Sequence, residues 1–200
     1  MKASASATLS QYGAKDTILK PGKASGGYVY RVKVGFVRIV SYGKDGSAVL
    51  LRCLQSGDYF GEEALTSGVR DYCALAATNT IVEEIPLSEM DEEDLAVLSA
   101  SLLRAVVQSY QSIQDITSLN LPNRLAKVLL RLSKTPLAGR DKRGKAVIRI
   151  THDELASMVG SAREGTTKII GQLSRRGYIK PAYGRIYILD RSGLESLAQQ

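Results

Sequence analysis

The stretch Thr151-His152-Asp153-Glu154-Leu155-Ala156-Ser157-Met158-Val159-Gly160 runs straight into Ser161-Ala162-Arg163-Glu164. A threonine followed three residues on by a glutamate is a capping box, in which each side chain satisfies the other residue's backbone amide. A short helix therefore starts at Thr151 and stops at Gly160, since glycine closes helices in left-handed backbone geometry. A second helix starts at Ser161-Ala162-Arg163-Glu164, turns Ile169, Ile170 and Leu173 inward, and ends at Arg176-Gly177. Ala156 is small where the two helices must cross, so the grammar is helix, tight glycine turn, helix. After Gly177, the segments Tyr178-Ile179-Lys180 and Arg185-Ile186-Tyr187-Ile188-Leu189 flank Pro181-Ala182-Tyr183-Gly184 and read as a β-hairpin wing.

Upstream of this unit, residues 124–133 carry a helical pattern in Leu125, Val128, Leu129 and Leu132, followed by a polar loop at 135–145 and a short strand at 146–150. Asn120-Leu121-Pro122 breaks the chain before it, because proline lacks the amide donor and restrains its predecessor. From Ser88 to that proline there is no Gly or Pro, and Ser88 precedes five acids between Glu89 and Asp94 that suit the positive end of a helix. A long helix over 88–120 follows. Leu95, Leu98, Leu102, Ala105, Ser109, Ser112, Ile116 and Leu119 form a 3-4 stripe. One face of this helix covers its own domain while the stripe, with its small residues, meets an identical helix, which predicts a homodimer.

Residues 17–85 read as short strands. Alternation is plain in Tyr28-Val29-Tyr30-Arg31-Val32-Lys33-Val34 and in Phe36-Val37-Arg38-Ile39-Val40, and turns fall at Pro21-Gly22, Gly26-Gly27, Gly35, Lys44-Asp45-Gly46 and Ser56-Gly57-Asp58. Turns about ten residues apart imply a barrel or two-sheet jelly roll. The fold class expected is α+β, in three parts: a β-roll over 1–87, the long helix over 88–120, and a winged helix-turn-helix domain over 121–200.

The charge is divided along the same line. Residues 1–120 hold 11 Lys and Arg against 14 Asp and Glu, a balance of −3, whereas residues 121–200 hold 16 against 6, a balance of +10. A basic folded module of this kind points to nucleic acid first, with an anionic membrane surface as the competitor that charge alone leaves open. Other classes are excluded by composition. No apolar run approaches the roughly 18 to 20 residues of a membrane span, and residues 1–10 lack the apolar core of a secretory signal, so a cytoplasmic address is expected. Two cysteines, Cys53 and Cys73, are too few for a four-thiolate metal or iron-sulfur site and read as core residues on strands; the single His152 rules out a multi-histidine metal enzyme. No nucleophile-base pair can be assembled, so neither catalysis nor a cofactor is expected.

At the residues quoted first, the chain closely resembles the catabolite activator protein/FNR family of bacterial transcription regulators. The family's C-terminal signature falls on Thr151, Glu154, Leu155, Ala156, Val159, Gly160, Ala162, Arg163, Glu164 and Lys168, and Gly57-Asp58-Tyr59-Phe60-Gly61-Glu62 resembles part of its β-roll. The resemblance implies an activator that binds duplex DNA at palindromes with half-sites like TGTGA and contacts RNA polymerase. It assigns Arg163 and Glu164 to base edges, Lys168 to a second base edge or to phosphate, and Thr151, Ser161, Thr166, Thr167 and Arg185 to phosphates. Gly165 departs from the family, which has a hydroxyl or β-branched residue there. Cyclic-AMP-binding relatives pair a Gly-Glu with an Arg-Ser; Gly61-Glu62 is present, but Tyr72 and Cys73 replace the second pair, and Arg70 lies two positions early. With Ser109, which matches an adenine contact, these make Gly61, Glu62, Arg70 and Ser109 the effector-pocket candidates, and regulation without cyclic AMP the expectation.

Overall fold

A computed structural model describes residues 7–43, 48–66 and 68–199; the expected turn at Lys44-Asp45-Gly46 lies outside them. The chain divides into two compact units, Met1–Ser109 and Tyr110–Gln200, each with its own core.

The first unit contains strands β1 (Thr8–Tyr12), β2 (Thr17–Leu19), β3 (Tyr28–Val34), β4 (Phe36–Tyr42), β5 (Ala48–Gln55), β6 (Tyr59–Phe60), β7 (Cys73–Ala76) and β8 (Thr80–Pro86). They pair antiparallel into two four-stranded sheets, ordered β1-β8-β3-β6 and β2-β7-β4-β5. This is the β-roll expected. Alternate side chains of both sheets bury Val32, Val37, Ile39, Leu54, Phe60 and Val82 in one core, as the period of two in a half-buried strand demands. Gly35 joins β3 to β4 at φ +93°, where a Cβ would lie 2.4 Å from the Asn79 carbonyl oxygen, so no other residue fits the corner. Cys73 is buried and Cys53 half-buried, both on strands.

Helix α1 spans Glu92–Ser118, and its start corrects the sequence reading. Leu87–Glu89 form a single 3-10 turn, and the amide that begins the true helix, that of Asp94, donates to the Asp91 carboxylate at 2.9 Å. Asp91 is therefore the cap, in place of Ser88. The stripe is corrected too. Leu98 is buried against Val29, Tyr59 and Ile85 with Leu102 packed beside it, so both belong to the core of the first unit and not to an exposed seam. Ser101 joins them, its hydroxyl accepting from the Tyr59 amide at 3.2 Å. The helix leaves Leu95, Ser109 and Ile116 of that stripe exposed, and beside them a second row, Leu103, Val106, Tyr110 and Ile113, each between 45 and 66% exposed. Its 3-4-3 spacing is that of a coiled-coil seam.

The second unit adds α2 (Leu121–Leu132), β9 (Ala138–Arg140), β10 (Ala146–Ile148), α3 (His152–Val159), α4 (Arg163–Arg175), β11 (Ile179–Ala182), β12 (Arg185–Ile188) and α5 (Arg191–Ala198). Helix α2 begins three residues before the expected Arg124. Asn120 caps it by accepting from the Asn123 amide at 3.1 Å, and Pro122 sits inside the first turn, where a missing N–H costs nothing. Strand β9 lies within the stretch 135–145 expected to be loop, and forms a hairpin with β10 in a sheet ordered β11-β12-β10-β9. The turn of that hairpin is built on Asp141, whose Oδ1 accepts from the Arg143 and Lys145 amides at 2.8 and 2.9 Å; these bonds hold its carboxyl below the usual range. The core of the unit comprises Leu125, Leu129, Leu132, Ile148, Leu155, Ile170, Leu173, Ile186 and Leu194, all buried.

Candidate nucleic-acid interface and the pocket of the β-roll

The capping box read from the sequence is present in full. The Thr151 hydroxyl accepts from the Glu154 amide at 3.2 Å, and the Glu154 carboxylate accepts from the Thr151 amide at 2.7 Å. At the other end of α3, Gly160 takes left-handed angles (φ 63°, ψ 50°). A Cβ there would meet Ile116 Cδ1 at 2.8 Å, so the glycine also lets the last turn of α1 lie against the helix-turn-helix. Arg124 clamps the same corner. Its Nε donates to the Val159 carbonyl at 2.8 Å, and its Nη1 to the carbonyls of Leu119 and Ile116 at 2.8 and 3.2 Å, satisfying carbonyls that helix ends leave open.

Helix α4 is buried along Thr166, Ile170 and Leu173. The opposite side exposes Arg163, Glu164, Thr167 and Lys168, which helical spacing gathers onto one face. Thr151 and Arg185 are also exposed and Ser161 is half-buried, and the Thr151 hydroxyl is engaged by Glu154 in the capping box. One assignment fails. Thr166 has no exposed surface, so it cannot reach a phosphate; its hydroxyl is buried and has no hydrogen-bond partner among the described residues. An unsatisfied buried hydroxyl costs stability. Thr166→Val, which keeps the shape, is expected to raise stability by about 1 kcal/mol, read as a higher melting temperature with DNA affinity unchanged. At Gly165, the departure from the family, a Cβ would sit 3.2 Å from Ser161 Oγ and 3.7 Å from Leu121 Cδ2, a close fit that a small shift of Ser161 would relieve.

The structure also brings in residues that the sequence reading left out. His152, the first residue of α3, is half-buried with Nδ1 3.1 Å from Thr167 Oγ1. Asp153 pairs with Arg163 across the turn, Oδ1 to Nε 3.3 Å. Tyr183, at the tip of the wing, is fully exposed beside Arg185. A lone aromatic at a hairpin tip was the one available signal.

In the β-roll, three of the four effector candidates lie in one charged cluster. Glu62 pairs with Arg52 at 2.5 Å. Arg70 is buried and pairs with Glu63, with its guanidinium carbon 5.9 Å from the Tyr30 ring centre. Tyr72, standing where an arginine was expected, donates to Glu63 at 2.7 Å and accepts from the Gly61 amide at 3.1 Å. Burial, reinforced by the hydrogen bond to Glu63, pushes the Tyr72 phenol well up, so it remains a donor. Glu63 is the member that sequence reasoning missed. Ser109, the fourth candidate, is exposed on α1, with its hydroxyl turned back onto the Ala105 carbonyl at 3.0 Å.

A β-roll followed by a long helix and a winged helix-turn-helix with a basic exposed helix face defines a DNA-binding regulator. Family models agree in both halves: the cyclic nucleotide-binding domain matches residues 9–93, and the Crp-like helix-turn-helix domain matches residues 123–197. The chain is 44% identical over 187 residues to the transcriptional regulator SdrP of Thermus thermophilus, covering 93% of this chain and 92% of that protein. To the transcriptional regulator LdrP of the same species it is 36% identical, with coverages of 94% and 95%. A crystal structure of a CRP/FNR-family regulator, also from Thermus thermophilus, superposes with a TM-score of 0.89 at 42% identity, covering 96% of this chain and 99% of that one. The chain belongs to the CRP/FNR family of transcriptional regulators. Its relatives are regulators, not enzymes, and among the described residues no helix is long and apolar enough to cross a membrane.

Proposed function

We propose that the protein is a cytoplasmic homodimer that binds palindromic duplex DNA, contacts RNA polymerase to activate transcription, and does so without cyclic AMP. The observation that carries the DNA reading is the exposed face of α4, where Arg163, Glu164, Thr167 and Lys168 stand together over a buried apolar back. Side chains at the start of a recognition helix reach base edges in the major groove, where arginine pairs with guanine O6 and N7, and glutamate accepts from cytosine N4. Thr151, Ser161, Thr167 and Arg185 are suited to hold phosphates, since they are short or basic and lie at or near the surface.

Independence from cyclic AMP is supported by the pocket. An anionic phosphate requires a cationic partner when buried. Here the buried guanidinium of Arg70 is already matched by Glu63, and Tyr72 occupies the place of the expected arginine while holding the Gly61 amide. A second reading, control by some small effector, is favoured by two polar atoms, Arg70 Nη2 and Glu62 Oε2, that are buried without a hydrogen-bond partner among the described residues. Calorimetric titration of the full-length protein with cyclic AMP tests the first of these. No heat with cyclic AMP, and operator affinity unchanged in its presence, is the expected result; saturable binding that raises operator affinity would reverse the assignment.

A further inference from the structure

We propose that Asp153 is a positioning residue that aims Arg163 at its base; this rests on the reading above, in which Arg163 contacts a base edge. The first turn of α3 carries two acids, and they have different duties. Glu154 is used by the capping box, its Oε2 taking both the amide and the hydroxyl of Thr151 at 2.7 and 2.9 Å. Asp153 takes no part in that cap. Its Oδ1 instead lies 3.3 Å from Arg163 Nε, across the Gly160 turn and on the other helix.

The atom engaged matters. Arginine offers five N–H donors in a planar fork, and guanine O6 and N7 accept two of them side by side. A carboxylate beside Nε leaves the terminal Nη1 and Nη2 free, and as an ion pair between side chains 64 and 60% exposed it biases the arginine's rotamers by a small energy. One helical turn along α4, the His152 imidazole and the Thr167 hydroxyl make a second link between the same two elements. The first turn of α3 thus serves as a brace for the reading face of α4.

Electrostatics gives the brace a measurable signature. A carboxylate on a face that approaches phosphates weakens binding to any duplex, because it opposes the counterion-releasing attraction. Its return is order in the arginine, felt only where Arg163 meets its base. A simpler role, an acid favouring the positive end of the α3 dipole, would leave base preference untouched.

The test uses the full-length chain, the duplex it selects from random DNA, a panel replacing each half-site base pair in turn, and a duplex of unrelated sequence. Asp153→Ala is expected to bind the unrelated duplex about threefold to tenfold more tightly, while discrimination at the base pair read by Arg163 falls at least about fivefold and other positions hold. Asp153→Asn, which keeps size and local capping capacity, should show the same pattern more weakly, guarding against a folding artefact. Combined with Arg163→Ala, loss of Asp153 should remove no further discrimination, because the two act as one unit. If Asp153→Ala shifts every duplex by a single factor while Arg163→Ala still erases preference at one base pair, Asp153 does not position Arg163 and the inference falls alone. If Arg163→Ala leaves preference intact, the base-reading assignment fails and this inference fails with it.

Discussion

Arg163→Ala is expected to lose about 1 to 3 kcal/mol of operator affinity per half-site and to relax preference at a single base pair, leaving the others as they were. The arginine is the first residue of α4 and stands on its exposed face, so its removal takes away the proposed base contact without disturbing the buried row of Thr166, Ile170 and Leu173. Glu164 should behave likewise at a neighbouring cytosine. Lys168 differs in kind, because an ammonium is a point charge without the planar fork. If it holds only phosphate, Lys168→Ala weakens all sequences equally and lowers the salt slope by about one unit. Titrations over a salt series on the substitution panel distinguish the two patterns.

The second large effect is assembly. Val106→Glu or Tyr110→Glu is expected to give monomers by sedimentation, with operator affinity reduced about a hundredfold or more as two linked half-site contacts become one. Both residues lie on the uncovered row of α1. Burying an unpaired carboxylate in a helix seam costs several kcal/mol, whereas the same charge on a monomer's exposed helix face costs little. The monomers should therefore remain folded. Leu98→Glu is a poor test of the same point, because Leu98 is packed against Val29 and Tyr59 and its loss would damage the β-roll. Dimers persisting in both variants would place the seam elsewhere.

Local chemistry was the most legible part of this chain. The capping box at Thr151 and Glu154 and the left-handed close at Gly160 involve partners a few residues apart, and both are found as read. The strands around Gly35 were legible because half-buried strands print their alternation directly in the sequence. Misreadings arose where two signals competed. Ser88 and Asp91 are both good caps, and only the 3-10 turn at Leu87–Glu89 decides between them. Strand β9, with Ala138-Gly139-Arg140, has almost no β propensity and exists because β10 pairs with it.

The site residues divide along similar lines. The family pattern places Thr166 at a phosphate, although its phase with Ile170 and Leu173 puts it on the buried side. Helical geometry outranks motif position here. The bond between Glu63 and Arg70 depends on how the loop between them returns, and nothing in Glu62-Glu63 says which acid turns inward. The pairing of Asp153 with Arg163 likewise needs the crossing of two helices before it becomes visible.

The central claim, a two-fold symmetric reader of duplex DNA, is tested most directly by binding-site selection from random sequence with the full-length protein and no added effector. The expected sites are two inverted half-sites, centred about one helical turn apart, each containing the guanine assigned to Arg163. Recovery of sites without two-fold symmetry, or no enrichment unless a cyclic nucleotide is added, would contradict it.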